Sequence, residues 1–279
     1  MRLKGRVLVV AGSDSSAGTG VQADLKTIMA LGAYAQTAVT ALTARDTQGT
    51  VEMVPVSAAF VQRQMRLALQ DIGADVIHCG MLYSAELINA VADVIDELAP
   101  DLPLVLDPVM VLKDGRTVLD HDGLRHLKIR LLPRATVLTP NLREAEMLAG
   151  MHIRDIDERR HAATMLLTLG AKSVLLTGGH MLESEPVIDL LATEDSTMLL
   201  SSDYLGTRHT AGVGSTLSAG VAAGIAQGMS ISDAVVRSRR FVQDAMADAP
   251  GFGAGRGPLN HAVGMIGYGN GLEHRQLLP

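Results

Sequence analysis

Val7-Leu8-Val9-Val10-Ala11-Gly12-Ser13-Asp14-Ser15-Ser16-Ala17-Gly18-Thr19-Gly20, with the helical stretch Val21 to Leu31 behind it, decides the fold. An unbroken apolar run rich in β-branched residues suits a strand covered on both faces, as in a parallel sheet. The loop that closes it is dense in small residues and hands over to a helix carrying Asp24 and Lys26. In open α/β sheets, small molecules bind in the crevice beyond the carboxyl ends of the strands. The loop holds neither G-x-x-x-x-G-K-[ST] nor G-x-G-x-x-G in register, which excludes a P-loop and a dinucleotide fingerprint.

Strand and helix then alternate along the chain. Ala33 to Leu42 reads as a strand, Thr43 to Gly49 as a polar loop, and Ser57 as the cap of a helix reaching about Ile72. A short strand, Asp75 to Cys79, runs into Gly80-Met81; from Ser84 the positions Leu87, Ile88, Val91, Val94, Ile95 and Leu98 keep helical spacing. Leu104-Val105-Leu106 is a strand that stops at Asp107-Pro108. After a glycine-containing excursion, Lys113-Asp114-Gly115, come a helix near Gly123 to Leu132 and the strand Thr136-Val137-Leu138. Asn141 and Glu144 have the spacing of a capping box, which by itself accounts for the glutamate. A helix from Ile156 to Leu169 leads to the strand Ser173 to Leu176, which ends at Thr177-Gly178-Gly179-His180. Val187 to Leu191 and Thr197 to Leu200 form a hairpin at the sheet edge, and Ser230 with Asp233 caps a last helix reaching about Ala247. The expected architecture is a three-layer α/β/α sandwich on a mostly parallel sheet. It is one domain over residues 1–279, with a glycine-rich tail from about 250 that is ordered only where it packs.

Composition narrows the function. A net charge of −6 with no basic stripe argues against nucleic acid as a partner, and no apolar run approaches the roughly 20 residues of a membrane span. The single cysteine, Cys79, excludes an internal disulfide framework and reads as a buried strand residue. No Cys/His spacing suits zinc, and a reducing cytoplasm is the expected location.

The chemistry points to Thr210-Ala211-Gly212-Val213-Gly214-Ser215-Thr216, which opens a helix of small and apolar residues. Gly-x-Gly alone equally describes a flexible turn before a helix. The two glycines nevertheless admit a ligand close to the backbone, and the first N–H groups of a helix favour an anion. The strand ends converge on one cleft beside that helix start. With carboxylates there but no protein-made metal cage, the favoured chemistry is phosphoryl transfer from ATP with Mg²⁺.

The ordered motifs Ala11 to Lys26, Thr40-Ala41-Leu42-Thr43-Ala44, Gly80-Met81-Leu82, Leu106-Asp107-Pro108-Val109-Met110, Thr139-Pro140-Asn141, Gly178-Gly179-His180 and Gly257-Pro258-Leu259-Asn260-His261 resemble, almost end to end, the hydroxymethylpyrimidine/phosphomethylpyrimidine kinases of thiamin synthesis, within the ribokinase-like superfamily. The resemblance implies ATP-dependent phosphorylation of hydroxymethylpyrimidine, its monophosphate or both, and a homodimer. It implies that Gly12, Asp24, Arg45, Met81 and Val109 line the pyrimidine pocket. Asn141, Thr177, Gly179 and Val213 would then serve ATP, Glu144 would serve Mg²⁺ through water, and Gly212, Gly214, Ser215 and Lys113 the transfer itself. Without the resemblance Asp24 reads as a first-turn acid, Met81 as a core methionine and Lys113 as a solvated loop cation.

Three positions depart from the family pattern. Gly212-Val213-Gly214-Ser215 stands where the family has Gly-Thr-Gly-Cys, so the cysteine proposed as base is a serine; Arg45 replaces a pyrimidine-contacting glutamine, and Thr177 replaces a lysine. A hydroxyl is a far poorer proton acceptor than a thiolate, whereas a phosphate oxygen is already ionised near pH 7. The departures therefore lead to the expectation of a bias toward the monophosphate, with Arg45 attracting its charge. The alternatives are a kinase of a related heterocyclic alcohol such as pyridoxal, and a weakly catalytic pyrimidine or nucleotide sensor.

Overall fold

The apolar run forms the central strand β1 (Arg6–Asp14), and Val7 to Ala11 are at most 2% exposed. The computed structural model describes residues 3–112, 115–178 and 186–265. A strand hidden on both faces needs cover on both, and its two-residue period sorts the side chains. Val7, Val9 and Ala11 enter one core with α1 (Gly20–Ala30), α7 (Val213–Ala226) and α8 (Ile231–Ala247). Leu8 and Val10 enter the other, with α2 (Ala58–Asp71), α3 (Ala85–Leu98), α4 (His121–His126), α5 (Leu142–Ala149) and α6 (Ile156–Thr168).

The remaining strands are β2 (Tyr34–Arg45), β3 (Thr50–Pro55), β4 (Val76–Cys79), β5 (Leu104–Leu106), β6 (Ala135–Leu138), β7 (Ser173–Leu176), β8 (Val187–Thr193) and β9 (Thr197–Ser202). Their order is β3-β2-β1-β4-β5-β6-β7-β8-β9. The six strands from β2 to β7 pair in parallel, while β3 at one edge and the β8–β9 hairpin at the other are antiparallel. The chain steps from β1 to one side for β2 and later to the other for β4. The loops after β1 and β4 consequently diverge, and a crevice opens between them at the carboxyl edge.

Four stretches differ from the reading of the sequence. Ala11 to Asp14 are strand rather than loop, because β1 goes on pairing with β2 past the apolar run. Thr43 to Arg45 is strand rather than loop: β2 continues and pairs with β3, leaving only 46–49 as a turn in which Asp46 Oδ1 accepts from the Gln48 and Gly49 N–H groups. An edge hairpin with both faces open carries no apolar period; Val51 is 80% exposed. The helix expected from Gly123 starts earlier, at His121, because the Asp120 carboxylate caps it through the Gly123 N–H, and it changes to a π turn over Leu127–Leu131 and a 3₁₀ turn over Leu132–Arg134. Past Pro250 the glycine-rich segment packs as far as the structure describes it. Arg256 N–H donates to Thr47 O, Ala211 N–H donates to Gly257 O, and Leu259 and His261 are buried. It thereby bridges the β2–β3 turn and the start of α7. Among the described residues no helix is long and apolar enough to cross a membrane.

Candidate active site

The crevice is a cavity of about 650 Å³ at the carboxyl ends of β1, β4, β5, β6 and β7. Its inner wall is backbone against backbone. Gly20 has φ +59°, and a Cβ there would overlap the Gly12 carbonyl, so only glycine lets α1 begin this close to β1. Gly12 in turn lies against the Met81 side chain, whose methyl occupies the place a Cβ on Gly12 would take. Thr40 Oγ1 donates to Met81 O at 2.7 Å and fixes that loop.

Asp24, on the first turns of α1, is 1% exposed, and its Oδ1 stands 3.7 Å from His78 Nε2 on β4, an ion pair longer than a hydrogen bond. His78 is equally buried, and its Nδ1–H donates to Val105 O at 3.2 Å. Burial pushes the Asp24 carboxyl up against the pull of His78. Burial opposes charge on the imidazole too, but Asp24 outweighs it, aided by Asp107, and holds the His78 pKa above its ordinary value. Each group is the other's principal counter-charge, so their titration belongs to the pair. Ser218 Oγ, 3.5 Å from His78 Nε2, links this pair to α7, where it lies within bonding distance of the Gly214 and Ser215 carbonyls.

Helix α7 begins at Gly212 with left-handed backbone, φ +89°. The N–H groups of Val213, Gly214 and Ser215 precede the first i→i−4 bond of the helix, from Thr216 N to Gly212 O, and all three residues line the cavity. Across from Gly214 stands Asp107, and farther along the cleft Glu144; both carboxylates are buried. Glu144 completes the capping box that its spacing with Asn141 announces: Asn141 N–H donates to Glu144 Oε2 at 2.9 Å and Glu144 N–H to Asn141 Oδ1 at 3.0 Å. Thr177 pairs with Asn141 as a parallel bridge beside them.

Gly12, Asp24, Arg45, Met81, Val109, Asn141, Glu144, Thr177, Gly212, Val213, Gly214 and Ser215 all line this one cavity. Lys113 and Gly179 lie outside the described residues. Sequence reasoning missed His78, Asp14, Arg256 and the Asp189–Arg239 ion pair, whose 2.8 Å contact closes the far wall while Asp189 Oδ1 accepts from Gly178 N–H. His78 sits inside a four-residue strand with no neighbouring motif, and Arg256 lies in the stretch without periodicity. Only the acid beside His78, which arrives from α1, marks it.

A glycine-bearing helix start of the kind that favours anions, two buried carboxylates and a cleft at the switch point of a parallel sheet suit a phosphotransferase of small molecules. The family model for phosphomethylpyrimidine kinase matches residues 14–260, and the chain belongs to that family. It is 42% identical over 260 residues to the thiamine biosynthesis bifunctional protein ThiED of Geobacter sulfurreducens, covering 93% of this chain and 53%, about half, of that one. It is 38% identical over 256 residues to the hydroxymethylpyrimidine/phosphomethylpyrimidine kinase of Bacillus subtilis, covering 92% and 94%. Among solved structures, the Clostridium difficile phosphomethylpyrimidine kinase superposes with a TM-score of 0.77 at 33% identity, covering 87% and 99%. The Staphylococcus aureus pyridoxal kinase in complex with AMP-PCP and pyridoxal superposes with a TM-score of 0.84 at 34% identity, covering 94% of each chain. The fold is ribokinase-like, and the protein is an ATP-dependent kinase of a small molecule.

Proposed function

We propose that this kinase transfers the γ-phosphoryl group of ATP to hydroxymethylpyrimidine and to its monophosphate, in the pyrimidine branch of thiamin synthesis. The observation that carries this is the start of α7 facing Asp107 and Glu144 across the cleft, directly beside the pocket formed by Gly12, Asp24 and Met81. The acceptor ring fits against Met81 and Val109, and the N–H groups of Val213 to Ser215 meet the charge that develops on the transferred group. Among the described residues no three His, Cys, Asp or Glu side chains form a metal cage, and two buried carboxylates suit Mg²⁺, which keeps water and phosphate oxygens as its other ligands. Glu144, through water, and Asp107 are the residues to hold it; the ion supplies charge neutralisation on the nucleotide phosphates.

A second copy of the chain fits the β2–β3 edge, where Leu42, Val51 and Val54 are each at least half exposed, as is Phe60 in the first turn of α2. The buried, unpaired thiol of Cys79, pushed up to about 12 by burial, accords with a structural residue in a cytoplasmic protein. The likeness to pyridoxal kinase supports one other reading, a kinase of pyridoxal. Incubation with Mg-ATP and each of hydroxymethylpyrimidine, its monophosphate and pyridoxal, with products followed by mass, tests the assignment. Phosphorylation of pyridoxal alone overturns it.

A further inference from the structure

A phosphate monoester acceptor brings two negative charges up to a nucleotide that already carries several, so its site needs fixed positive charge near the reacting oxygens. Two arginines line the cavity beside the start of α7. Arg45 is the last residue of β2, and Arg256 comes from the C-terminal segment that crosses over it.

Among the described residues Arg256 has no carboxylate partner, and Arg45 has only Asp14, at the outer limit of an ion pair. Arg45 Nη1 donates to the Thr19 hydroxyl at 3.2 Å, while its buried Nε has no hydrogen-bond partner and stands 4.0 Å from Asp14 Oδ1. Asp14 is turned to other work. Its Oδ1 accepts from Ser16 N–H and Oγ–H, and its Oδ2 accepts from Thr19 N–H and Oγ–H, all at 2.7–2.8 Å. Arg256 donates through Nε and Nη2 to Thr210 Oγ1, a neutral partner, at 3.2 and 2.5 Å, and among the described residues it forms no ion pair with a carboxylate. Burial first, and then the charge of Arg45, holds the Arg256 pKa below its ordinary value. A guanidinium nonetheless stays protonated and offers only donors, five to each group, so whatever fills the space between two of them must be an acceptor and is best an anion.

Their position relative to α7 is fixed on both sides. Thr210, which receives Arg256, lies two residues before Gly212, and Thr19, which receives Arg45, follows Gly18, whose carbonyl packs on Gly212. From this geometry we infer that Arg45 and Arg256 form a clamp for the phosphate group of a monophosphorylated acceptor, holding it at the start of α7. The inference rests on the kinase reading above and assigns the two residues that set its preference for the phosphorylated acceptor. In the reaction an ionised oxygen of the clamped phosphate forms the new bond to the γ-phosphorus as the bond from γ-phosphorus to the β-bridging oxygen breaks. ADP leaves with the electron pair, and no proton need be removed from the acceptor.

The test compares wild type with Arg256→Gln, Arg45→Gln and Arg256→Lys in two measurements. One is kcat/KM with Mg-ATP for hydroxymethylpyrimidine and for its monophosphate; the other is calorimetric titration of the nucleotide-free protein with inorganic phosphate. Each glutamine variant is expected to lower the monophosphate-to-alcohol ratio of kcat/KM about tenfold or more, mainly through KM for the monophosphate, and Arg256→Lys to restore part of it. Where wild type turns over both acceptors, or the monophosphate alone, the change in monophosphate kinetics decides. An equal fall for both acceptors, or no change for the monophosphate, overturns the clamp. Where wild type phosphorylates neither, the kinase assignment fails by itself and the titration decides: at least fivefold weaker phosphate binding in Arg256→Gln sustains the clamp, and unchanged binding overturns it. Arg45→Gln stands in if Arg256→Gln melts early.

Discussion

Gly212 packs directly on Gly18. With φ +89° at Gly212, a Cβ there would overlap the Gly18 carbonyl oxygen, so the loop after β1 and the start of α7 are pressed together through backbone alone. Gly214, two residues on, has nothing nearer to its Cβ position than Asp107 Oδ2 at 3.9 Å. Gly212→Ala therefore combines a left-handed conformation for a non-glycine residue with a backbone clash, and a loss of about 2 kcal/mol or more is expected, seen as an early thermal melt together with loss of turnover. Gly214→Ala is expected to melt as wild type and yet to lose turnover, because its methyl group enters the space between α7 and Asp107. Calorimetry and a coupled ADP assay on the two variants check the contrast.

Ser215 lines the cavity at the start of α7, where the proposed transfer to an alcohol acceptor would need a proton removed. Restoring a thiol there by Ser215→Cys supplies a group whose ionised form accepts a proton far better than a hydroxyl does, more so at the N-terminus of a helix. The turnover of hydroxymethylpyrimidine relative to its monophosphate is expected to rise about tenfold or more. An unchanged ratio would mean that the serine is no handicap to the first phosphorylation.

The layers of this fold were legible because burial on two faces leaves its mark in continuous apolar runs: Val7–Val10 and Leu104–Leu106 are strands in the structure as they are in the sequence. Caps were legible for a related reason, since Asn141 and Ser230 accept from N–H groups three residues on, which is a local rule, whereas Ser57 stands at its helix start without a side-chain cap bond. β3 was not, because an edge strand whose residues are all at least partly exposed has no apolar period. The site divides in the same way. Gly12, Met81 and the start of α7 belong to runs that carry motifs, whereas the pairing of Asp24 with His78 and the approach of Arg256 to Arg45 join residues 54 and 211 positions apart by number, and no local pattern records them.

The Asp24–His78 pair should behave as a unit. Asp24→Ala leaves His78 buried with its principal counter-charge gone, and the expected cost is about 3 kcal/mol or more in urea denaturation at pH 7. Adding His78→Gln to Asp24→Ala removes the stranded charge, so the double variant should be less destabilised than the sum of the two single ones, with a coupling of about 1 kcal/mol or more. Additive losses would show that the two groups do not depend on each other.

His261 sets an acid limit on stability. Its Nε2 lies 2.9 Å from Thr216 Oγ1 in α7, its Nδ1 is buried without a hydrogen-bond partner, and burial, then the charge of Lys26, pushes its pKa down to about 4. The folded protein thus holds this ring neutral where the unfolded chain, titrating near 6.5, takes up a proton. Stability from the group is complete above about pH 6.5 and is lost as pH falls toward 4, because in that window the unfolded state binds more protons. Between pH 7 and pH 5 the loss from this residue is about 2 kcal/mol. His261→Gln cannot titrate and retains a polar partner for Thr216, so its unfolding free energy is expected to vary less with pH than that of wild type over the same interval. Urea denaturation at pH 5, 6 and 7 measures both slopes, and parallel slopes would place the acid sensitivity of this fold elsewhere.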